Sequence, residues 1–342
     1  MREVFDDGGV FLCRIPERPG EDDGLLGHVG DRLDALLAEE TGLTRSRIQR
    51  LMEDGLVTVN GKPVKKNVRA ARGDEIEVTL PEAEDAEAEP EDIPLDVVYE
   101  DSDIIVVNKP AGMVVHPGHG NYNGTLVNAL AYYLHLSPDA EDERMGVLVH
   151  RIDKDTSGLL VVAKNPQAQL HLADQFFAHS IDRIYTAVVW GNITEDEGTV
   201  EGTIGRDPND RLRFRVYDDP QKGKWAVTHW RVLERMGFIT VVECQLETGR
   251  THQIRVHMAS IGHPLFNDER YGGAEIRQGT IYAKYRQFIQ NCFALCPRQA
   301  LHARTLGFTH PVTGERLHFE AALPEDMAAL IEKWRAYVKT LA

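Results

Sequence analysis

Periodic hydrophobicity begins at Arg32-Leu-Asp-Ala-Leu-Leu-Ala, where Leu33, Leu36 and Leu37 recur at helical spacing. A second helix is predicted over residues 44–54. Thr44 offers a capping hydroxyl, Ile48, Leu51 and Met52 share one face, and Arg45, Arg47 and Arg50 lie off it. Gly55 then stops the helix. From Leu56 the apolar period changes to two: Leu56-Val-Thr-Val, the turn pair Asn60-Gly61 and Lys62-Pro-Val make a hairpin, and Asp74-Glu-Ile-Glu-Val adds a strand.

Residues 81–92, PEAEDAEAEPED, carry seven acids, no cation and no large apolar side chain. Such a stretch cannot bury a core and repels itself, so it reads as a linker. The predicted organisation is an N-terminal extension (1–30), a small domain (31–80), an acidic linker (81–93) and a large domain (94–342). In the large domain, residues 95–99, 104–108, 159–163, 183–190, 225–233 and 238–246 read as strands, and 125–134 and 166–179 as helices. Long hairpins without a regular βαβ alternation predict an α+β domain with a mixed, largely antiparallel sheet.

At 342 residues, 42% hydrophobic and 27% charged, the chain has ordinary globular composition, which excludes wholesale disorder, a coiled-coil rod and collagen. It contains no run of 18 uncharged apolar residues, and its N-terminus lacks a basic-then-apolar leader pattern. Cys13, Cys244, Cys292 and Cys296 are too few and scattered for a disulfide framework. The expectation is a cytoplasmic protein with no membrane partner, and a monomer.

The net charge of −16 argues at first against a nucleic-acid partner, but its distribution reverses that. Between Leu43 and Arg72 stand Arg45, Arg47, Arg50, Lys62, Lys65, Lys66, Arg69 and Arg72 against only Glu53 and Asp54, a local net of +6. This is a phosphate-binding stripe, or a solvated face.

Two windows are loaded with chemistry. His150-Arg-Ile-Asp-Lys-Asp-Thr-Ser-Gly158 is a charged loop between apolar runs, where Asp153, Asp155 and Ser157 either react or cap turn amides. As a calcium loop it fails, because Lys164 stands where a bidentate Glu is needed. A phosphohydrolase Asp-x-Asp fits it poorly. His116 and His119 lack the partners to complete a zinc site, and Gly118 to Gly124 misses a dinucleotide fingerprint by one position. The second window, LETGRTHQIRVH (246–257), leaves a strand and enters a helix that Gly262 can end. Ile254, Met258 and Ile261 are predicted to face inward, leaving Arg250, His252 and Arg255 to project. Cations at a helix start imply an anionic partner.

These residues carry a resemblance. HRIDKDTSGLL (150–160), RIYTAVVWG (183–191), LETGRTHQIRVH (246–257) and RQALHARTLGFTHPVTGE (298–315) resemble, in order, the motifs of the RluA-type RNA pseudouridine synthases. The two helices and basic hairpin of residues 31–80 are similar to an S4 RNA-binding domain, an arrangement of the RluD-like branch that modifies large-subunit rRNA. Departures are Ile152 for Leu, Arg183 for Lys and a longer stretch over 273–297.

The resemblance implies a pseudouridine synthase catalytic domain behind a small S4 domain (αα-hairpin/β). It implies cofactor-free, metal-free isomerisation of uridine in RNA, most directly 23S rRNA or a ribosome precursor. It assigns Asp153 as catalytic carboxylate, Tyr185 against the base, Arg255 as partner of Asp153, and Arg151 as the side chain entering the space of a flipped nucleotide. Arg45, Arg47, Arg50, Lys62, Lys65 and Arg250 are the further candidate RNA contacts. tRNA as target, or an RNA-binding assembly factor without catalysis, are the alternatives.

Overall fold

The computed structural model describes residues 10–15, 29–41, 45–79, 89–116, 123–135, 147–208, 210, 213–280 and 282–340. The chain divides into two compact units, Met1–Glu87 and Ala88–Ala342.

In the first unit, α1 (Leu33–Thr41) and α2 (Arg45–Glu53) cover a four-stranded antiparallel sheet. Its strands are β1 (Val10–Arg14), β2 (Val57–Val59), β3 (Lys62–Pro63) and β4 (Glu75–Thr79), in the order β1-β4-β2-β3. Leu33, Leu36 and Leu37 meet Ile48, Leu51 and Met52 over Val57, Ile76 and Val78, as the spacing predicts. Gly55 takes φ +77°, and the Leu56 N–H reaches back to the Leu51 carbonyl at 2.8 Å, closing α2. Asn60 and Gly61 both take positive φ, the conformation of a tight hairpin turn. The predicted cap Thr44 lies outside the described residues, as does the side chain of Arg47.

One expectation is corrected here. Residues 10–14, assigned by sequence to an extension, pair along β4 from Val10↔Thr79 to Arg14↔Glu75, and Ile15 is buried in the core. Arg45 is exposed, off the apolar face of α2, and with Arg32 and Gln49 it donates to the buried Asp34, Arg32 Nη2 at 2.9 Å and Arg45 Nη2 at 3.2 Å. The Arg32 hydrogen bonds, more than the smaller opposing effect of burial, hold the Asp34 carboxyl well below the usual carboxylate range. A depressed carboxylate stabilises the fold above its unfolded pKa and loses that contribution as protons fill it. The melting temperature of this unit should therefore drop as pH falls from about 5 towards 2, with a shallower dependence in Asp34→Asn; scanning calorimetry across pH checks it.

The second unit is built on an 11-stranded sheet. Its strands are β5 (Val97–Glu100), β6 (Ile104–Lys109), β7 (Val147–Leu148), β8 (Ser157–Ala163), β9 (Asp182–Trp190), β10 (Glu197–Arg206), β11 (Phe214–Tyr217), β12 (Lys224–Arg235), β13 (Ile239–Leu246), β14 (Leu301–Thr309) and β15 (Arg316–Glu320). They run in the order β11-β10-β12-β13-β9-β14-β8-β6-β5, with β15 on β14 and β7 on β8. Among the described residues only β14 and β8 pair in parallel, so the sheet is mixed and largely antiparallel.

Alternation along the central strands sends side chains to two layers. Ile105, Val107, Leu160, Val162, Ala187 and Val189 meet α3 (Leu126–Tyr133) and α5 (Gln253–Ser260). Ile104, Val106, Leu159 and Val161 meet α4 (Pro166–Phe177), while Val188 and Trp190 meet α6 (Ala283–Leu295) and α7 (Glu325–Lys339).

Glu89 and Glu91, at the end of the acidic segment, are tied to the large unit. Glu89 O accepts from the Asn128 side chain at 3.0 Å, Glu91 N donates to Asn128 O at 3.1 Å, and the Glu91 carboxylate takes the Gly124 N–H at 2.9 Å. That carboxylate sits beside the start of α3, where the helix dipole favours an anion. Cys244, Cys292 and Cys296 are free and buried, as expected of small apolar side chains. Among the described residues no helix is long and apolar enough to cross a membrane.

Candidate active site

The 150–158 window forms the connection from β7 to β8, and the structure shows what each residue does there. His150 is half-buried; its Nε2 accepts the Val161 N–H at 3.0 Å and its ring stacks on Phe176 at 4.5 Å. Burial pulls its pKa down to about 3, so it is a neutral pin for the loop. Arg151 is exposed, Ile152 is buried in the core, and Asp153 is half-buried at a bend where Thr156 N donates to Asp153 O.

Gly158 closes the loop with φ +118°, and a Cβ there would lie 2.2 Å from the Ala303 carbonyl oxygen. Only glycine allows β8 to run so close to β14. On its other side, Lys109 is fully buried, and its Nζ donates to the carbonyls of Pro110, Met113 and Lys154 at 2.7, 2.8 and 2.9 Å. Three acceptors match the three donors of an ammonium, although burial pulls the pKa of this group down to about 7.

Asp153 Oδ2 meets Arg255 Nη1 at 2.8 Å. Arg255 in turn grips Asp268 in a two-bond fork, Nε to Oδ2 at 2.7 Å and Nη2 to Oδ1 at 2.9 Å, and stacks its guanidinium 5.1 Å from the Tyr271 ring. Burial works against the Arg255 charge, but the hydrogen bonds and charge of Asp268, with those of Asp153, raise its pKa further above the ordinary arginine value.

This corrects two sequence expectations. Arg255 does not project from α5; it is 6% exposed, and the anions that its position requires are the protein's own Asp153 and Asp268. Ile261, expected inside, is 39% exposed. The mistake came from treating the helix as one-sided: α5 is buried over most of its circumference, so polar residues also point inward.

His252 takes a left-handed φ of 56° at the head of α5. Tyr271 Oη accepts the Phe214 N–H at 3.1 Å and lies 2.7 Å from His252 Nδ1. On the other side of the ring, His252 Nε2 faces Asp153 Oδ2 at 4.0 Å. Burial lowers the His252 pKa to about 4, so the ring is neutral at physiological pH.

Asp153, Arg255, His252, Tyr185, Arg151 and Arg250 all line one cavity of about 500 Å³, large enough for a nucleobase. Tyr185, on β9, is 7% exposed, and burial pushes its hydroxyl pKa up. Arg183 lies below it on the same strand, its guanidinium 5.4 Å from the Phe176 ring. Arg250 is half-buried, held by Nε to Trp225 O at 3.0 Å. Asp153, Tyr185 and Arg255, expected from the sequence as the catalytic group, and Arg151 and Arg250, expected among the RNA contacts, thus line the same cavity. Sequence reasoning missed Asp268, Tyr271 and Lys109, which carry no motif spacing of their own. Arg50, Lys62 and Lys65 are exposed in the first unit.

A second group, Asp101, Asp103 and His310, places possible metal-ligand atoms within 4.8 Å of one another. Both imidazole nitrogens are already engaged: Nε2 meets Asp101 Oδ2 at 2.9 Å, and Nδ1 accepts the Val312 and Thr313 N–H groups. It is a structural knot at the base of β6. His119 and residues 118–122 lie outside the described residues.

Comparison with known proteins places this geometry. Residues 103–260 match the RNA pseudouridylate synthase family, and residues 31–76 match the S4 domain. The chain is 50% identical over 307 residues to an uncharacterized RNA pseudouridine synthase of Bacillus subtilis (strain 168), covering 89% of this chain and 94% of that protein. It is 45% identical over 310 residues to the ribosomal large subunit pseudouridine synthase D of Escherichia coli (strain K12), covering 90% and 92%. Among solved structures, human RNA pseudouridylate synthase domain containing 4 shares the fold, with a TM-score of 0.55 at 24% identity over 70% of this chain and 92% of that one. The motifs, the sheet and the relatives at 45–50% identity agree: the chain belongs to the RNA pseudouridine synthases, a family of isomerases, and carries an S4 domain ahead of the synthase domain.

Proposed function

We propose that this protein isomerises uridines of large-subunit ribosomal RNA, with Asp153 as the reacting carboxylate. The observation that carries this reading is the Asp153–Arg255 ion pair at 2.8 Å, opening into a cavity that Tyr185 also lines. The large-subunit target rests on the E. coli relative, which is named for it.

The reaction breaks the bond from uracil N1 to ribose C1′ and makes one from C5 to C1′. C5 gives up its proton and N1 gains one, so nothing is oxidised or reduced and no group is donated. A stacked uridine cannot reach a cavity of this kind; it must be extruded, which costs on the order of a few kcal/mol. Arg151, exposed at the rim, is the side chain that fills the vacated stack, and Tyr185 gives the extruded base a flat partner. The Arg255 guanidinium pairs with that carboxylate in a partly desolvated place, and the neutral His252 ring stands beside it. The synthase domain is residues 94–342 in this reading, and the protein works in the cytoplasm.

Because C5 loses its hydrogen, RNA carrying 5-tritiated uridine should release label to water with this protein, and pseudouridine mapping of rRNA and tRNA from cells with and without it locates the product. No release would refute the reaction; product in tRNA alone would refute the rRNA target.

The S4-like unit supplies affinity through exposed cations. Replacing Arg50, Lys62 and Lys65 by Gln should lower the slope of log affinity against log salt by about 2 to 3, at roughly 0.7 to 0.9 per lost phosphate contact. Turnover at saturating RNA should hold. Fluorescence anisotropy over a salt series checks it, and an unchanged slope would show that these side chains do not meet phosphate.

A further inference from the structure

The loop that carries Asp153 is gripped from behind by a side chain that takes no part in the cavity around Tyr185. Arg298 stands just before β14 and is 8% exposed. Its Nη1 donates to Asp155 O at 3.0 Å and Leu301 O at 3.0 Å, with Gln299 O at 3.2 Å, and its Nη2 reaches Ser157 Oγ at 3.3 Å. The other side of the guanidinium forks onto Asp326 in the first turn of α7, Nε to Oδ2 at 2.7 Å and Nη2 to Oδ1 at 3.0 Å. Every N–H of the guanidinium has an acceptor.

We propose that Arg298 is a positioning residue for Asp153, and that Asp326 aims it. This rests on the reading that Asp153 reacts. Two of its contacts, Asp155 O and Ser157 Oγ, belong to the same turn as Asp153, which closes through Thr156 N to Asp153 O at 3.1 Å. Ser157 Oγ is in turn 2.9 Å from His302 Nδ1, so the exit of the turn is fixed to β14 by side chains as well as by strand pairing. With Lys109 Nζ on Lys154 O, consecutive carbonyls of the turn are held by separate buried side-chain donors. A planar fork can bind loop and α7 together, and an ammonium cannot. Displacement of a reacting group by about 1 Å costs on the order of 100-fold in rate.

The test is the single-turnover rate of pseudouridine formation with folded enzyme in saturating excess over RNA, alongside RNA affinity by anisotropy and thermal melting. Working at saturation makes the rate insensitive to the active fraction. Arg298→Lys is expected to lower that rate at least tenfold with RNA affinity within twofold of wild type. Asp326→Asn, which keeps the arginine but loosens its aim, should give an intermediate loss, and it serves if Arg298→Lys fails to fold. If the soluble variants melt lower yet turn over at the wild-type single-turnover rate, Arg298 is only a structural brace and the proposal is overturned; so too if rate and affinity fall in parallel. Asp153→Asn, run beside them, separates the failures: its activity would refute the reading of Asp153, whereas an inactive Asp153→Asn with wild-type-like Arg298 and Asp326 variants refutes this inference alone.

Discussion

Asp153→Asn should lower pseudouridine formation by roughly 10³-fold or more while RNA affinity stays within a few-fold of wild type. The amide has the shape of the carboxylate and can still accept from Arg255 Nη1, so the cavity keeps its form. What it lacks is a charge and a nucleophilic or basic oxygen. Tritium release measures the first quantity and anisotropy the second. Asp155→Asn is the informative partner, because the structural contact of Asp155 is through its carbonyl to Arg298, which the substitution leaves in place. An active Asp153→Asn beside an inactive Asp155→Asn would transfer the role to Asp155.

Arg255→Met is expected to damage both stability and turnover. Arg255 is the shared cation of two carboxylates, and the Asp268 side chain has no exposure to water. Removing the guanidinium strands a buried anion, at a cost of roughly 3–5 kcal/mol. Part of that loss is softened by the Arg270 and Tyr271 N–H groups, which donate to Asp268 Oδ1 at 3.1 and 3.2 Å. Urea unfolding reads the stability term. The rate should fall further than unfolding explains, because Asp153 loses its partner as well. Arg255→Lys should be milder for stability yet still slow, since an ammonium cannot span Asp153 and Asp268 as the fork does. Wild-type turnover in folded Arg255→Met would remove the ion pair from the mechanism.

The helices α1 to α4 and the main hairpins were legible because their apolar residues repeat at a period that only one backbone geometry satisfies. Other elements were not. β10 reads EGTVEGTIGR, in which Gly198, Gly202 and Gly205 hide the alternation. Their reason is packing: a Cβ on Gly198 would meet the Trp230 ring at 2.5 Å, and one on Gly205 the Lys222 carbonyl oxygen at 1.8 Å. β1 went unread because its partner strand lies some sixty residues away, a relation that local pattern cannot express. The site divides the same way. Asp153, Tyr185 and Arg255 sit in motifs whose resemblance names their roles, and the 102-residue separation of Asp153 and Arg255 is invisible to spacing. Asp268 acts through tertiary contact and sits in none of these motifs, and Arg298 opens the 298–315 motif without the resemblance giving it a role.

The place of β14 in the sheet sets an order on the making of this protein. β14 lies between β9 and β8, yet it begins only at Leu301 of 342 residues. A nascent chain emerging from the ribosome therefore completes the strands carrying Tyr185 and the helix carrying Arg255 while β9 still has a bare edge, open to pairing with any other extended segment. Until residues 298–309 arrive and α7 docks, the turn bearing Asp153 lacks its hold on Asp155 and Ser157. Closure of the central sheet is thus a late, long-range event, and chains cut short before it are the species most prone to aggregate and to need a chaperone.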